Sequence, residues 1–348
     1  MQSTRPIQTS VAIEEVTRLE ERTLLQRIVA NQAFWVTLAV ALICAATAWY
    51  EPETFPTRDN FFNITRNFAP IGIMAMGMIA VILTRGIDLS VGSMMALVGI
   101  STARLLEAGF PWWVGIGSGL LVGLAAGAIN GALVAYVKLP PFVVTLGTLS
   151  IYRSLAVVLS ENRIIYDFGP GGDVFKEIGG GQIGFPWYDG TTFYLSNQFL
   201  VLVILTLVFG FVFRAVPWGR YLYAIGGNEQ AARLTGIPVD RIKLQAYMIC
   251  GLTTAIAALM LTGYNGSASN GMGRTWELYV IAAAVIGGTN LMGGEGGAYG
   301  GFIGAALIFL IRNSLIMFGV EANWYDLFVG LFIILAVLLE RIRGRSRG

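Results

Sequence analysis

The sequence predicts an all-α integral membrane protein of about ten transmembrane helices. Three observations predict it: 55% of the 348 residues are hydrophobic against 13% charged, apolar runs of spanning length recur from end to end, and the chain has 44 glycines, some of which recur at regular spacing along two of those runs. The charged fraction is about half that of soluble chains, and the mean hydropathy of +0.67 agrees. A net charge of +2 is too small to point to nucleic acid as a partner. Cys44 and Cys250 both sit in apolar runs, where a thiol acts as a small hydrophobe, so no disulfide and no metal site are expected. The chain has no histidine, the commonest general base and metal ligand.

A helix that crosses a bilayer needs roughly 20 mostly apolar residues. That rule marks 33–50, 68–84, 90–109, 112–137, 140–160, 198–216, 244–263, 277–292, 298–318 and 324–340. The runs at 90–109 and 277–292 are short or broken by glycine and charge. Within the first run Ala46-Thr47-Ala48 has the form of a signal cleavage site. The 32 residues before that run carry Glu14, Glu15, Glu20 and Glu21, too long and too acidic a region for a signal peptide. Residues 1–32 instead set Ile13, Val16, Leu19, Leu24 and Ile28 at helical spacing among charges, the pattern of an amphipathic helix lying on the membrane surface.

An even number of spans puts both ends on one side. The amino tail holds Arg5, Arg18, Arg22 and Arg27, the carboxyl tail Arg341, Arg343, Arg345 and Arg347, and the polar stretch 214–243 adds Arg214, Arg220, Arg233, Arg241 and Lys243. Parity places all three together, and the bias of Lys and Arg assigns that side to the cytoplasm. Residues 33–340 are then a transmembrane domain between a cytoplasmic amphipathic tail, 1–32, and a basic cytoplasmic tail, 341–348. The segment 161–197 carries only Arg163 and Lys176 and faces outward, and its GPGGD, GGGQ and FPWYDG are turn chemistry.

Gly115, Gly119, Gly123, Gly127 and Gly131 recur every fourth residue along the fourth run, and Gly293, Gly297, Gly301 and Ala305, with Gly296, Gly300 and Gly304 beside them, repeat the device along the ninth. Such bare stripes let helices pack backbone to backbone in lipid. The two runs occupy matching places in a possible duplication: Asn130 precedes Gly147 by 17 residues, as Asn313 precedes Gly330. Five spans separate the halves, so a second copy would be inverted, as in many transporters. The residue identity between them is weak, and chance likeness of two glycine-rich runs is the competing reading.

Polar groups at membrane depth are costly and usually face a cavity or a partner. In TRGIDLSVGS, residues 84–93, Gly86 and Gly92 break a helix beside Asp88, Ser90 and Ser93. This is either a turn with Asp88 capping the third span or unwound backbone lining a pathway. GGTNLMGGEGG, residues 287–297, poses the same choice with Asn290 and Glu295. Asn130, Thr145, Thr148, Asn265, Asn270 and Asn313 are further neutral hydrogen-bonders. As a set they suit a polyhydroxylated, uncharged solute; singly, each suits a helix–helix hydrogen bond. Asp88, Ser90, Asn130, Thr145, Thr148, Asn265, Asn290 and Asn313 are therefore the candidate substrate pathway.

The segment GRYLYAIGGNEQAARLTGIPVDRIK, 219–243, is polar between apolar neighbours. Gly226-Gly227 reads as a flexible turn, Asn228 as an N-cap with Glu229 in the first turn, and Gly236 with Pro238 as a stop. A helix of about two turns results, and its Ala231-Ala232 pair would let another protein approach closely. The competing reading is a solvated connecting loop. No GxxxxGK phosphate loop exists, because Lys138, Lys176 and Lys243 follow Val, Phe and Ile.

GIDLSVGS, NGALVAYVKLPPFVVTLGTLSIYRS, GRYLYAIGGNEQAARLTGI, VIGGTNLMGGEGGAYGGFIGA and the closing RNSLIMFG…YDLFVGLFIILAVLLER resemble, in order and over most of 60–342, the ribose-type carbohydrate permeases of bacterial ABC importers. The resemblance implies a fold similar to the cobalamin-type (type II) permeases with inverted repeats, in the bacterial inner membrane. It also implies a second permease chain, identical or related, a periplasmic sugar-binding protein on the outer face, and an ATPase, often with two fused nucleotide domains, that docks on 219–241. ATP and Mg would be used by that partner, with no cofactor in this chain. By position, Arg220, Gly226, Gly227, Asn228, Glu229, Ala231, Ala232 and Gly236 would form the docking element. One departure is Arg153-Ser154, where the family pattern has Arg-Gly. An ion-coupled secondary transporter of a small polar solute is the alternative, with Asp88 its one obvious carboxylate. A membrane-embedded enzyme lacks any visible nucleophile, base or metal cluster.

Overall fold

The computed structural model describes residues 31–186 and 191–325, together with 327, 328, 330, 331 and 334. Twelve named helices follow in order: α1 Gln32–Tyr50, α2 Arg58–Leu83, α3 Val91–Glu107, α4 Trp112–Ala135, α5 Pro141–Leu159, α6 Gly172–Gly180, α7 Asn197–Ala215, α8 Pro217–Gly227, α9 Glu229–Leu234, α10 Val239–Asn265, α11 Trp276–Ile286 and α12 Ala298–Met317. The expected amino-terminal amphipathic helix, the basic carboxyl tail and most of the run 324–340 lie outside the described residues.

Local chemistry sets the boundaries. The Thr57 hydroxyl accepts from Asn60 N at 3.2 Å to cap α2, and the Ser196 hydroxyl accepts from Phe199 N at 3.2 Å to cap α7. Pro111 and Pro140 immediately precede α4 and α5, and Pro217 opens α8, where a missing N–H costs nothing. Gly266 ends α10 in the left-handed conformation, φ +60°.

Seven of these helices, α1, α2, α4, α5, α7, α10 and α12, are long and apolar enough to cross a membrane. The runs 90–109 and 277–292 hold α3, of 17 residues, and α11, of 11, each shorter than a full crossing. α2 begins ten residues before its apolar run, at Arg58 rather than 68, and α10 extends its run at both ends. The segment 161–197 is more than a loop: it forms α6 and an antiparallel hairpin, Gln182–Pro186 with Thr192–Ser196, in which Gln182 pairs with Ser196.

α2 is the centre of the bundle. Of its apolar stretch 89% is buried, against 17% for α1. α10, α12, α7 and α11 surround α2, while α4 and α10 form the most extensive helix pair. The reason is the glycine stripe. A Cβ on Gly127 would lie 2.3 Å from the Tyr247 carbonyl, one on Gly123 would lie 2.6 Å from the Gly251 carbonyl, and one on Gly251 would lie 2.1 Å from the Gly123 carbonyl. The expected stripe on the ninth run is shorter than the spacing suggests. Gly293 and Gly296 precede α12 with φ +84° and +149°, and only Gly300, Gly301 and Gly304 lie in the helix. Gly300 meets the backbone of Gly287, the residue that follows α11, and Gly304 meets that of Ala283 within it.

The order long helix, irregular segment, short helix, long glycine-bearing helix occurs twice, as α2–α3–α4 and as α10–α11–α12. The irregular segments lie at opposite ends. Arg85 reaches the carbonyls of Gly226 and Gly227, whereas Ala268 bridges to Ile165 and Asn270 donates to Ser160 Oγ at 3.0 Å. We call the end holding 84–86, 217–238 and 288–297 the inner end and the end holding 160–196 and 266–275 the outer end, after the sides predicted by the basic residues. The amino ends of α3 and α11 meet between them: a Cβ on Gly92 would lie 2.2 Å from the Gly273 carbonyl.

If the α4–α10 contact carries the bundle, Gly127→Ala should lower the yield of folded, detergent-stable protein, at a cost of about 1–3 kcal/mol for overpacking. Gly117→Ala on the same helix, where an added Cβ meets nothing within 4 Å, should leave yield unchanged. Size-exclusion profiles and thermal unfolding of the two variants check this; equal behaviour would remove the contact from its structural role.

Candidate functional site

The candidate pathway residues separate into three places. Asp88, Ser90, Asn130, Thr145 and Thr148 come together in a sealed polar knot where 84–90, α4 and α5 meet, each almost completely buried. The Asp88 carboxylate accepts from Ser90 N at 2.9 Å and from Ser90 Oγ at 2.6 Å. Asn130 Nδ2 donates to Ser90 Oγ at 2.8 Å and to both Asp88 oxygens at 3.2 and 3.3 Å. Thr145 Oγ1 donates to the Ile87 carbonyl at 3.4 Å and to the Pro141 carbonyl at 2.9 Å, while Thr148 Oγ1 donates to the Thr145 carbonyl at 3.4 Å. Asp88 thus works one step from the helix end. Ser90 is the residue flanking α3, and Asp88 holds its N–H and hydroxyl. Two members of the knot were not expected from sequence: Tyr152, whose hydroxyl donates to the Ala126 carbonyl at 2.9 Å, and Tyr247, whose hydroxyl donates to the Ile87 carbonyl at 3.4 Å.

Asn265 and Asn313 lie far from the knot, in the wall of a cavity of about 380 Å³ near the outer ends of α2, α10 and α12. Asn313 Nδ2 donates to Asn60 Oδ1 at 2.8 Å. Arg66, Arg312, Gln198, Tyr264, Trp276 and Tyr325 share this wall. Arg312 was visible as a lone charge inside an apolar run; Arg66 was missed because the second run was begun two residues after it. Asn290 belongs to neither place. Its Oδ1 accepts from Met292 N at 2.9 Å and its carbonyl from Gly293 N at 2.8 Å, forming a turn at the inner end. Arg153, at the family departure, donates to the Met272 carbonyl at 2.9 Å; Ser154 beside it is exposed.

The inner segment differs in two respects from its sequence reading. Gly226-Gly227 is the last turn of α8 and not a flexible link: a Cβ on Gly226 would lie 2.0 Å from the Leu83 carbonyl and 2.2 Å from Gly294 N. Ala232 is 4% exposed and packs into the core, so the Ala231-Ala232 pair does not face outward as a unit. Asn228 does cap α9, accepting from Ala231 N at 3.0 Å, and Gly236 leaves it at φ +84°. Glu229 receives Arg233 at 2.9 Å and Lys243 at 2.7 Å; burial raises its carboxyl, but these two partners outweigh burial and hold it below the usual range. Arg233 also pairs with Asp240 at 2.6 Å, and Lys138 joins Asp240 from the α4–α5 link. Arg220 is exposed on α8, and Leu234, 89% exposed, stands out from α9.

Apolar spanning helices, two short helices entered through irregular backbone, and polar groups held at depth define a multi-pass integral membrane permease. The chain belongs to the family described as branched-chain amino acid transport system / permease component, whose pattern matches residues 60–338. It is 35% identical over 315 residues to the ribose import permease protein of Haemophilus influenzae, covering 89% of this chain and 93% of that one. It is 35% identical over 304 residues to the D-allose transport system permease protein of Escherichia coli K12, covering 87% and 90%, and 35% identical over 286 residues to the fructose import permease protein of Rhizobium meliloti, covering 80% and 76%. No solved structure matches the chain.

The knot yields an ordered pair of outcomes. Asp88→Asn keeps an acceptor for Ser90 and should retain substantial transport, whereas Asp88→Ala leaves Ser90 N and Ser90 Oγ without their acceptor and should cost about 1–3 kcal/mol or more. Uptake and folded yield of both variants test this. Equal and complete loss of uptake in two well-folded proteins would instead mark an obligatory charge.

Proposed function

We propose that the chain is the transmembrane permease subunit of an ATP-binding-cassette importer, moving a sugar or sugar-like polyol from periplasm to cytoplasm by alternating access. Its relatives named for ribose, D-allose and fructose import support the substrate class. The observation that carries the reading is the inner segment. α9 presents Leu234 outward and is joined through the single residue Asn228 to α8, whose last turn is wedged by backbone contact between Leu83 and Gly294. A force applied to α9 therefore reaches the irregular segments of both halves.

In this reading an ATPase, using ATP and Mg, docks on 219–241 at the cytoplasmic side, with Arg220, Gly226, Gly227, Asn228, Glu229, Ala231 and Gly236 shaping or presenting the element and Ala232 seating it. A periplasmic sugar-binding protein meets the outer end, and a second permease chain completes the pathway. Ten membrane segments of the cobalamin-type arrangement, both termini cytoplasmic, complete the proposed topology. The sugar path runs past the junction of α3 and α11, since irregular backbone at depth persists where it lines a cavity or is covered by protein. Asp88, Ser90, Asn130, Thr145 and Thr148 form its closed wall, Asn265 and Asn313 lie toward its outer mouth, and Asn290 shapes the inner loop. Against ion coupling through Asp88 stands its engagement by Ser90 N, Ser90 Oγ and Asn130 Nδ2, three fixed donors of the protein itself.

Leu234→Asp, on an exposed side chain, should leave the protein folded and inserted. Loss of an interface anchor typically costs about 2 kcal/mol or more, so the variant should fail to retain the ATPase in pull-down and should not stimulate ATP hydrolysis with sugar-loaded binding protein. A fully coupled Leu234→Asp transporter would defeat the docking assignment. Ala232→Trp should fail earlier, by unseating α9, because position 232 has no room for an indole. Uptake that survives collapse of the proton gradient and stops on ATP depletion separates this mechanism from ion coupling.

A further inference from the structure

The outer cavity contains two cations and no described anion. Among the described residues in its wall only Arg66 and Arg312 carry charge. Arg66 is partly buried, its guanidinium stacked 4.6 Å from the Tyr264 ring centroid and 5.3 Å from that of Phe62. Its Nη2 donates to Asn63 Oδ1 at 2.9 Å, and its Nε is buried without any hydrogen-bond partner. Arg312 stacks 5.6 Å from the Tyr325 ring centroid. Stacking fixes the planes of both guanidiniums but satisfies few of their five N–H donors each.

At the same outer end Arg104 and Arg163 both meet Glu107, the latter at 2.7 Å. Arg312 is exposed, but the buried Nε of Arg66, left unmatched inside a membrane protein, is costly unless a ligand supplies the acceptor. A neutral polyol could accept hydrogen bonds there but would bring no negative charge to a wall whose described residues include two cations and no anion. An anion answers both deficits, and the planar fork of arginine matches a phosphate or carboxylate.

Position narrows the chemistry. Arg66 lies eight residues inside the outer end of α2, roughly 12 Å along the axis, and Arg312 lies five residues before the end of α12, roughly 8 Å. That depth, with Trp276, Tyr264 and Tyr325 in the same wall, is where aromatic side chains meet lipid headgroups. We propose that the outer cavity is an anion site in which Arg66 and Arg312 hold a phosphate or carboxylate group, with Asn67 in the same wall available to its remaining oxygens. The group arrives either on an anionic lipid headgroup or on a small solute. Anion binding here is independent of which solute is transported, since binding is read without transport.

The test uses the purified full-length chain. In the lipid arm, native mass spectrometry compares retention of phosphatidylglycerol with that of phosphatidylcholine of the same acyl chains. In the solute arm, thermal unfolding is followed with inorganic phosphate and with glucuronate, each against glucose at equal ionic strength. Preference for phosphatidylglycerol in the first arm alone identifies a headgroup site, and stabilisation by phosphate or glucuronate but not glucose identifies a solute site. Arg66→Gln with Arg312→Gln should weaken whichever binding is seen by about ten- to a hundredfold, the worth of one charge-assisted hydrogen bond or more. Replacing both by Lys should restore part of it. Equal retention of the two lipids together with no stabilisation by either anion overturns the site on the unmodified protein, whether or not the variants fold; so does anion binding that the Gln pair leaves unchanged. Neither result would disturb the sugar-permease reading, which stands or falls on ATP-dependent uptake.

Discussion

Backbone contact between α4 and α10 is the constraint on which the rest of this molecule depends. In lipid, apolar side chains gain nothing by leaving one apolar surface for another, so helix association rests on close packing. Gly123, Gly127 and Gly251 bring carbonyls and α-carbons of two helices to distances at which no side chain fits. That contact places Tyr247, one turn before Gly251 on α10, under the irregular segment 84–90, where a Cβ on Gly86 would lie 2.7 Å from its hydroxyl. The same contact turns α4 so that Asn130 faces Asp88 and Ser90. The packing stripe and the polar knot are therefore consequences of one geometry.

That geometry explains why an unwound segment survives at this position. Residues 84–90 expose backbone groups that no helix satisfies, and two of them find partners in side chains: Ile87 O from Thr145 and Tyr247, Ser90 N from Asp88. Each bond is worth about 1 kcal/mol, but leaving a buried group unmade costs more. The second half solves the same problem at the other end with different residues. Arg153 donates to the carbonyls of Asn270 and Met272, and Asn270 donates to Ser160 and Asn162.

The legible parts of the sequence were those where one residue type leaves a periodic or capping mark. Glycine at every fourth position marked the α4 face, and Asn228 with Gly236 marked both ends of α9. The breaks at 84–93 and 287–297 were visible for the same reason, since glycine beside polar residues cannot continue an apolar helix. Three features left no such mark. Alanine has the same composition on either face of a two-turn helix, so the burial of Ala232 depended on how α9 sits on α10. Glycine within a terminal helical turn reads as a flexible link until its neighbours are known; Gly226 is rigid because Leu83 and Gly294 crowd it. Asparagines 265 and 313 shared a chemistry with Asn130 but not a place, because distance between helices is not written along any one of them.

The inner end shows how packing of this kind can carry motion. Gly294 N donates to the Leu83 carbonyl at 3.1 Å, Arg85 binds the carbonyls that end α8, and the Tyr223 hydroxyl donates to the Gly296 carbonyl at 2.9 Å. These bonds tie the carboxyl end of α2 and the segment before α12, one from each half, to a single helix. Side-chain contacts could slip under load as rotamers change; backbone contacts at 2.0–2.2 Å from a hypothetical Cβ leave no slack to absorb a displacement. A shift of α8 must therefore move both halves or break hydrogen bonds to both. The glycines that close the bundle thus also make it stiff at the inner end, where α8 and α9 lie against the backbone at Leu83 and Gly294.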